Sequence, residues 1–231
     1  MTVLFLMGST KRIATELANL AKLGPDCRFR IVPASDADIT KLVAVIRNPD
    51  DSPYEGGITL FSIDMGSGYP FSPPKVIHQT TAGRIHPNLY GYKGSEGGGK
   101  VCLDILNTFG KNNWSMALTL EQVFHTICSL MDKNALKCEP GQERVSEKTL
   151  ADYDNCARAI TLAATIDWMT CANPINSAYP PEIVSIIRDK SRIPQMLKSA
   201  EKLVDGVFNT MHHRNFVVNK RDIIRRINEL S

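Results

Sequence analysis

Residues 41–64 read KLVAVIRNPDDSPYEGGITLFSID. Leu42, Ala44 and Ile46 alternate with Val43 and Val45, and Ile58, Leu60 and Ser62 alternate with Thr59, Phe61 and Ile63. That is the two-residue period of a β-strand. The connector PDDSPYEG carries the Pro, Asp, Ser and Gly of tight turns. Two strands joined this briefly run antiparallel, because a parallel pair needs a crossover of about a dozen residues or more. Outward from this pair, RFRIVP (28–33) and KVIHQT (75–80) add a strand on either side, the latter after the turn-rich MGSGYPFSPP. The expectation is a four-stranded antiparallel meander.

Helical periods flank the meander. In STKRIATELANLAKLG, Ser9 and Thr10 are candidate N-caps, Ile13, Leu17 and Leu20 recur at helical spacing, and Gly24-Pro25 stops the run. The short apolar VLFLM (3–7) is expected to pack beneath that first helix. Downstream, LTLEQVFHTICSLM puts Leu120, Val123, Phe124, Ile127, Leu130 and Met131 on one face, and TLADYDNCARAITLAATIDWM (149–169) makes a second long helix. Strands first and helices after argue for an α+β fold, with helices on one side of the sheet and at its ends. CANPINSAYPP (171–181) is the one break in composition, dividing a core of 1–170 from a helical extension of 171–231.

The 231 residues are 43% hydrophobic and 22% charged, enough for a packed core. A net charge of +3 gives no electrostatic footprint for nucleic acid. VLFLM is far short of the roughly 20 apolar residues a bilayer span requires and lacks the flanks of a signal peptide. No membrane association is expected, and a cytoplasmic or nuclear location follows.

Of six cysteines, no pair shows C-x-x-C or zinc-ligand spacing, so they are expected to be reduced and to hold no metal. Cys128 and Cys156 sit in helical patterns. Cys102 follows the glycine-rich GYKGSEGGGK, which makes it the candidate reactive thiol. Two simpler readings compete there. GSEGGGK has partial P-loop spacing, but Val101 stands where Ser or Thr is needed and a strand-like VCLDIL, not a helix, follows. His86 lies sixteen residues before Cys102 and could serve a cysteine hydrolase, but it is followed by Pro87 and Asn88 in a turn.

The segments PDDSPYEGG, YPFSPPKV, RIHPNLYG, GKVCLDIL and NWSMALTLEQVFHTICSLM occur in one order at close spacing. From about Thr10 to about Met169 this series resembles the ubiquitin-conjugating enzymes, and CEPGQE with the long helix after it resembles the larger, C-terminally extended members. The resemblance implies the UBC fold and no cofactor. It implies that Cys102 accepts ubiquitin or a ubiquitin-like modifier from an activating enzyme as a thioester, in an ATP-dependent pathway, and passes it to a lysine or to a ligase. Transthiolation is nearly balanced and needs an accessible thiol rather than a strong base. The resemblance assigns Asn88 to stabilising the developing oxyanion, and His86 and Pro87 to shaping the turn. An acid assisting the incoming lysine falls on Glu143 or Glu139. A surface for RING-type or other ligases falls on Phe71, Met116, Ala117, Lys11 and Arg12, with Met116 where the family usually has proline. The alternative is a non-catalytic, ubiquitin-binding scaffold of the same fold.

In the tail, RIPQMLKSAEKLVDGVFN places Ile193, Met196, Leu197, Ala200, Leu203, Val204, Val207 and Phe208 on one helical stripe. NKRDIIRRINELS gives a second helix capped by Asn219, with Ile223, Ile224, Ile227 and Leu230 inward. Both are expected to pack on the protein's own core beyond the 149–169 helix, away from Cys102.

Overall fold

The computed structural model describes residues 2–80, 83–91, 98–170 and 179–231, with backbone alone for 2–8. The meander forms as the alternation requires: β1 (Phe29–Pro33), β2 (Lys41–Arg47), β3 (Ile58–Asp64) and β4 (Lys75–His78) lie in that order, every neighbour antiparallel. Ala44 stands opposite both Ile31 and Phe61, and Val45 opposite Leu60. The register sorts the side chains into two faces. Leu42, Ala44, Ile46, Phe61 and Ile63 meet one hydrophobic cluster, and Val43, Val45, Ile58 and Leu60 meet another.

The first cluster is closed by three helices. Helix α1 spans Thr2–Leu20 and contributes Ile13 and Leu20; α2 (Leu120–Leu130) contributes Val123, Phe124 and Ile127; α3 (Glu147–Met169) contributes Leu150, Tyr153 and Ile160. A capping box starts α2, with the Thr119 side chain accepting from Gln122 N and the Gln122 side chain accepting from Thr119 N. Ser146 caps α3, which starts at Glu147, two residues ahead of the expected start. At α1 the expectation needs correcting. The helix runs from Thr2 straight through Gly8, a tolerated cost inside a helix, so VLFLM is its first turns rather than a segment beneath it. Ser9 is not a cap, because its hydroxyl donates 2.7 Å to the Tyr69 carbonyl across the fold.

The second sheet face is covered as well, which differs from helices on one side only. The C-terminal half of α3 (Leu162, Ile166, Trp168) joins α4 (Pro181–Ile187), α5 (Ile193–Glu201) and α6 (Lys220–Asn228) over Val43, Val45, Ile58 and Leu60. Asn219 caps α6 by accepting from Asp222 N, with Ile223 and Ile227 buried as expected.

The single stripe drawn through residues 193–208 is broken. Helix α5 ends at Glu201, and Gly206–Phe208 becomes a strand, β5, paired antiparallel with β6 (Phe216–Val218). The cause lies on α3. The Asn155 side chain donates to Val204 O and accepts from Val204 N, both at 2.9 Å, holding that residue extended. Val204 and Val207, placed inward by the helical period, are therefore each 61% exposed. Among the described residues no helix is long and apolar enough to cross a membrane.

Candidate active site

The Arg84–Gly91 segment runs back on itself as a turn and then along residues 99–102. Leu89 bridges to Val101, Tyr90 N donates to Lys100 O, and Cys102 N donates 2.8 Å to Asn88 O. The Asn88 side chain returns the contact, its Nδ2 donating 2.7 Å to Cys102 O. Two hydrogen bonds in opposite directions thus fix Cys102 against Asn88. The expected strand VCLDIL is only the bridge at Val101, after which the chain turns through a 3₁₀ segment at Asp104–Leu106. The Thr108 hydroxyl, accepting from Leu103 N and donating to Val101 O, holds that turn closed.

His86 shapes the turn from inside. Its Nδ1 accepts the Asn88 backbone N–H at 2.9 Å, and burial, reinforced by the charge of Arg84, pushes its pKa down to about 3. The ring is neutral with that lone pair already engaged. It is not the base that a cysteine hydrolase requires, so the turn positions Asn88 rather than moving protons.

Cys102 is less open than a loop-borne thiol was expected to be. The residue is 4% exposed and lies between two surface clefts that share Asn88 and Phe109. One cleft, of about 400 Å³, continues past Asp104, Lys111 and Asn113. The other is narrow and walled by Arg84, Tyr90, Cys138, Glu139 and Pro140. On that wall Tyr90 stands in the same narrow cleft as Cys102, and burial raises the phenol's pKa against the opposing charge of Arg84. The Arg84 guanidinium stacks 3.8 Å over the Tyr90 ring, donates to the Pro87 carbonyl and pairs with Glu139 at 3.3 Å. Residues 92–97 of the glycine-rich loop lie outside the described residues.

Spacing left two glutamates open, and the structure separates them. Glu143 is exposed, and its carboxylate accepts Gly141 N at 3.1 Å; its own backbone N–H and that of Gly141 hold it below the usual carboxylate value. It lines neither cleft beside the cysteine. Glu139 does, because the 3₁₀ turn Ala135–Cys138 carries the chain back to Arg84. Tyr90, Arg84 and Phe109 were not singled out by sequence, although the first two stand inside RIHPNLYG. Among the described residues no group of three or more His, Cys, Asp or Glu could hold a metal ion.

The surface assigned to a ligase is only partly free. Phe71 is 60% and Met116 51% exposed, and Lys11 and Ala117 are exposed beside them. Arg12 is half-buried and engaged: its guanidinium donates to Met116 O (3.0 Å) and Leu118 O (2.7 Å) and pairs with Glu16. Glu16 is a buried hub that sequence reasoning missed. It also accepts the Tyr69 hydroxyl and, at 2.8 Å, Leu120 N at the start of α2, where a carboxylate favours the helix dipole. Arg12 and Glu16 therefore set the height of the Phe71 and Met116 loops.

The family profile described as ubiquitin-conjugating enzyme matches residues 12–162, which include the turn, Cys102, Glu139 and most of α3. The chain belongs to the ubiquitin-conjugating enzyme family. It is 38% identical over 185 residues to ubiquitin-conjugating enzyme E2 Z of Xenopus tropicalis, an alignment covering 78% of this chain and 55% of that protein. It is 37% identical over 161 residues to the E2 Z proteins of Homo sapiens and Danio rerio, covering 67% of this chain and 43% and 46% of theirs. The chain spans about half the length of the curated relatives it matches. The tail helices α4 to α6 fall beyond the matched family segment.

Proposed function

We propose that this chain carries ubiquitin, or a ubiquitin-like modifier, as a thioester on Cys102. The supporting observation is the reciprocal pairing of Asn88 with Cys102, which fixes a thiol between two clefts. In the first step the Cys102 sulfur attacks the modifier's thioester carbonyl on an activating enzyme. A new C–S bond forms, the old one breaks, and the activating enzyme's sulfur leaves as the thiolate and takes up a proton. In the second step a neutral lysine amine attacks the same carbonyl, a C–N bond forms, and Cys102 leaves as thiolate. A RING-type or other ligase, docked on Phe71, Met116, Ala117 and Lys11, would present the charged protein to its substrate.

Asn88 and Glu139 serve the second step. Asn88 Nδ2 gives one N–H to the Cys102 carbonyl and has a second for the oxyanion. Its Oδ1 is buried without a hydrogen-bond partner, an unfavourable state that is tolerated at reacting centres. To Glu139, rather than Glu143, we assign acceptance of the amine's proton, because it shares the narrow cleft with Cys102. Within this reading residues 1–170 form the conjugating core and 171–231 an extension.

A charging assay on the full chain tests this. With activating enzyme, ATP and ubiquitin the protein gains one adduct that thiol reductant removes; Cys102→Ser gives a reductant-resistant ester and Cys102→Ala gives none. Asn88→Ala charges normally and discharges to free lysine roughly a hundredfold more slowly. An adduct that persists in Cys102→Ala, or no adduct on the unaltered chain, overturns the reading, the latter in favour of a scaffold.

A further inference from the structure

The tail was expected to lie away from Cys102, but its hairpin reaches the wall of the cysteine's cleft. The loop between β5 and β6 carries His212 and His213. The His213 Nε2 lies 2.8 Å from the Arg84 carbonyl and donates to it, while its Nδ1 accepts from the Thr210 hydroxyl at 2.7 Å. The His212 Nε2 lies 3.4 Å from Glu139 Oε2, and its Nδ1 lies 3.3 Å from the Tyr153 hydroxyl. Both rings pack on Tyr153, with centroids 5.7 and 5.3 Å from it. The two imidazoles thus contact the Arg84 backbone and the Glu139 carboxylate, the ion-paired residues that line the narrow cleft.

These residues line the thiol's cleft. Arg84 and His212 both reach the same oxygen of Glu139, Arg84 stacks on Tyr90, and Arg84, Tyr90 and Glu139 share the narrow cleft with Cys102. We propose that His212 and His213 are positioning residues for lysine discharge, the hairpin fixing Glu139 and Arg84 at the thioester. This rests on the carrier function proposed above. Neutral imidazole suits the task. Burial pushes the His212 pKa down to about 4, so at neutral pH the ring abuts the carboxylate without adding a second cation that would weaken its pull on the amine's proton. Geometry is the sensitive quantity, since a displacement of about 1 Å can reduce a rate up to a hundredfold.

The experiment compares charging and single-turnover discharge to free lysine in the full chain. His212→Phe and His213→Phe keep a ring against Tyr153 and delete the N–H donors. Discharge at saturating lysine should fall about tenfold in the double variant, with charging within about twofold of the unaltered chain. Gln at both positions, which restores a donor, should recover most of the rate. In a Glu139→Gln background, His212→Phe should have no further effect, the coupling expected of one unit. Unchanged discharge, a parallel loss of charging and discharge, or additive effects of His212→Phe and Glu139→Gln overturns the proposal. Failure of the unaltered chain to charge on Cys102 overturns the carrier reading instead.

Discussion

The two faces of the central sheet are equally apolar but are closed by different parts of the chain. The face bearing Leu42, Ala44 and Phe61 is covered by α1, α2 and the first half of α3, all within or adjoining the matched family segment. The face bearing Val43, Val45 and Leu60 is covered by the second half of α3 and by α4, α5 and α6, most of which lie beyond it. β2 is buried on both sides along Leu42–Ile46. The tail is therefore part of this protein's core and not an appendage. Its removal would return to water several side chains whose burial contributes roughly 1.5–3 kcal/mol each, against a total stability of about 5–15 kcal/mol.

The largest effect expected is from truncation after residue 175. The shortened chain should lose its cooperative thermal transition and bind a hydrophobic dye such as ANS, and should charge poorly because it no longer folds. A truncated protein that melts cooperatively within a few degrees of the full chain would break the comparison, showing the first cluster to be sufficient. Next comes a matched pair. Ile127 and Ile187 are each fully buried, one in each cluster. Each Ile→Ala change should cost about 3 kcal/mol in denaturant unfolding. A cost at Ile187 under about 1 kcal/mol would show that the tail side is loosely packed.

A glycine pair sharpens the same point with a smaller effect. Gly56 has φ +80°, and a Cβ there would lie 2.6 Å from Met196 N and 2.8 Å from Gln195 C, both backbone atoms of α5. Gly66 has φ +62° with open space around its Cβ. Both Ala variants carry the left-handed penalty of about 1 kcal/mol, and only Gly56→Ala must also push the tail helix away, for about 2–3 kcal/mol in all. Equal costs at the two sites would mean that α5 is free to move off the core.

Much of this was legible in sequence. The alternation of residues 41–64 specified the sheet, the stop at Gly24-Pro25 the end of α1, and RIHPNLYG with GKVCLDIL the turn and its thiol. LVAVI in β2, apolar at every position, already carried the sign of a sheet covered on both faces. What was illegible depended on distant partners. The tail helix stops with Asn155 bound to Val204 from a distance, and the local sign, the turn dipeptide Asp205-Gly206, was overridden by the helical stripe. Which of Glu139 and Glu143 lies beside Cys102 turns on a 3₁₀ segment that four residues of spacing cannot reveal. Ser9 was misread for the same reason, since the Tyr69 carbonyl claims it from across the fold, and the bonds of Arg12 to the 116–118 carbonyls were equally out of sight. His212 and His213 belong to no motif, and only their placement makes them notable.

The smallest effect concerns Glu55, a buried carboxylate that joins the core to the tail. Glu55 is 1% exposed, and its two oxygens meet Lys198 at 2.7 Å and Lys202 at 2.5 Å, both from the α5 region. Burial alone would raise the Glu55 pKa, but the two lysines outweigh it and hold the carboxyl below its ordinary value. A depressed pKa contributes stability above the unfolded value, near 4.3, which is lost as pH falls through the folded one. Because the lysine heads are largely in water, the gain is modest. Lys198→Gln with Lys202→Gln should lower the melting temperature by about 2–4 °C at pH 7. Without the lysines burial dominates, the Glu55 pKa moves up, and the variant recovers as the carboxyl protonates. Melting curves from pH 7 to pH 3 should therefore show the gap between the two proteins closing on acidification. A gap that stays constant across that range would mean that the two lysines hold α5 by packing alone.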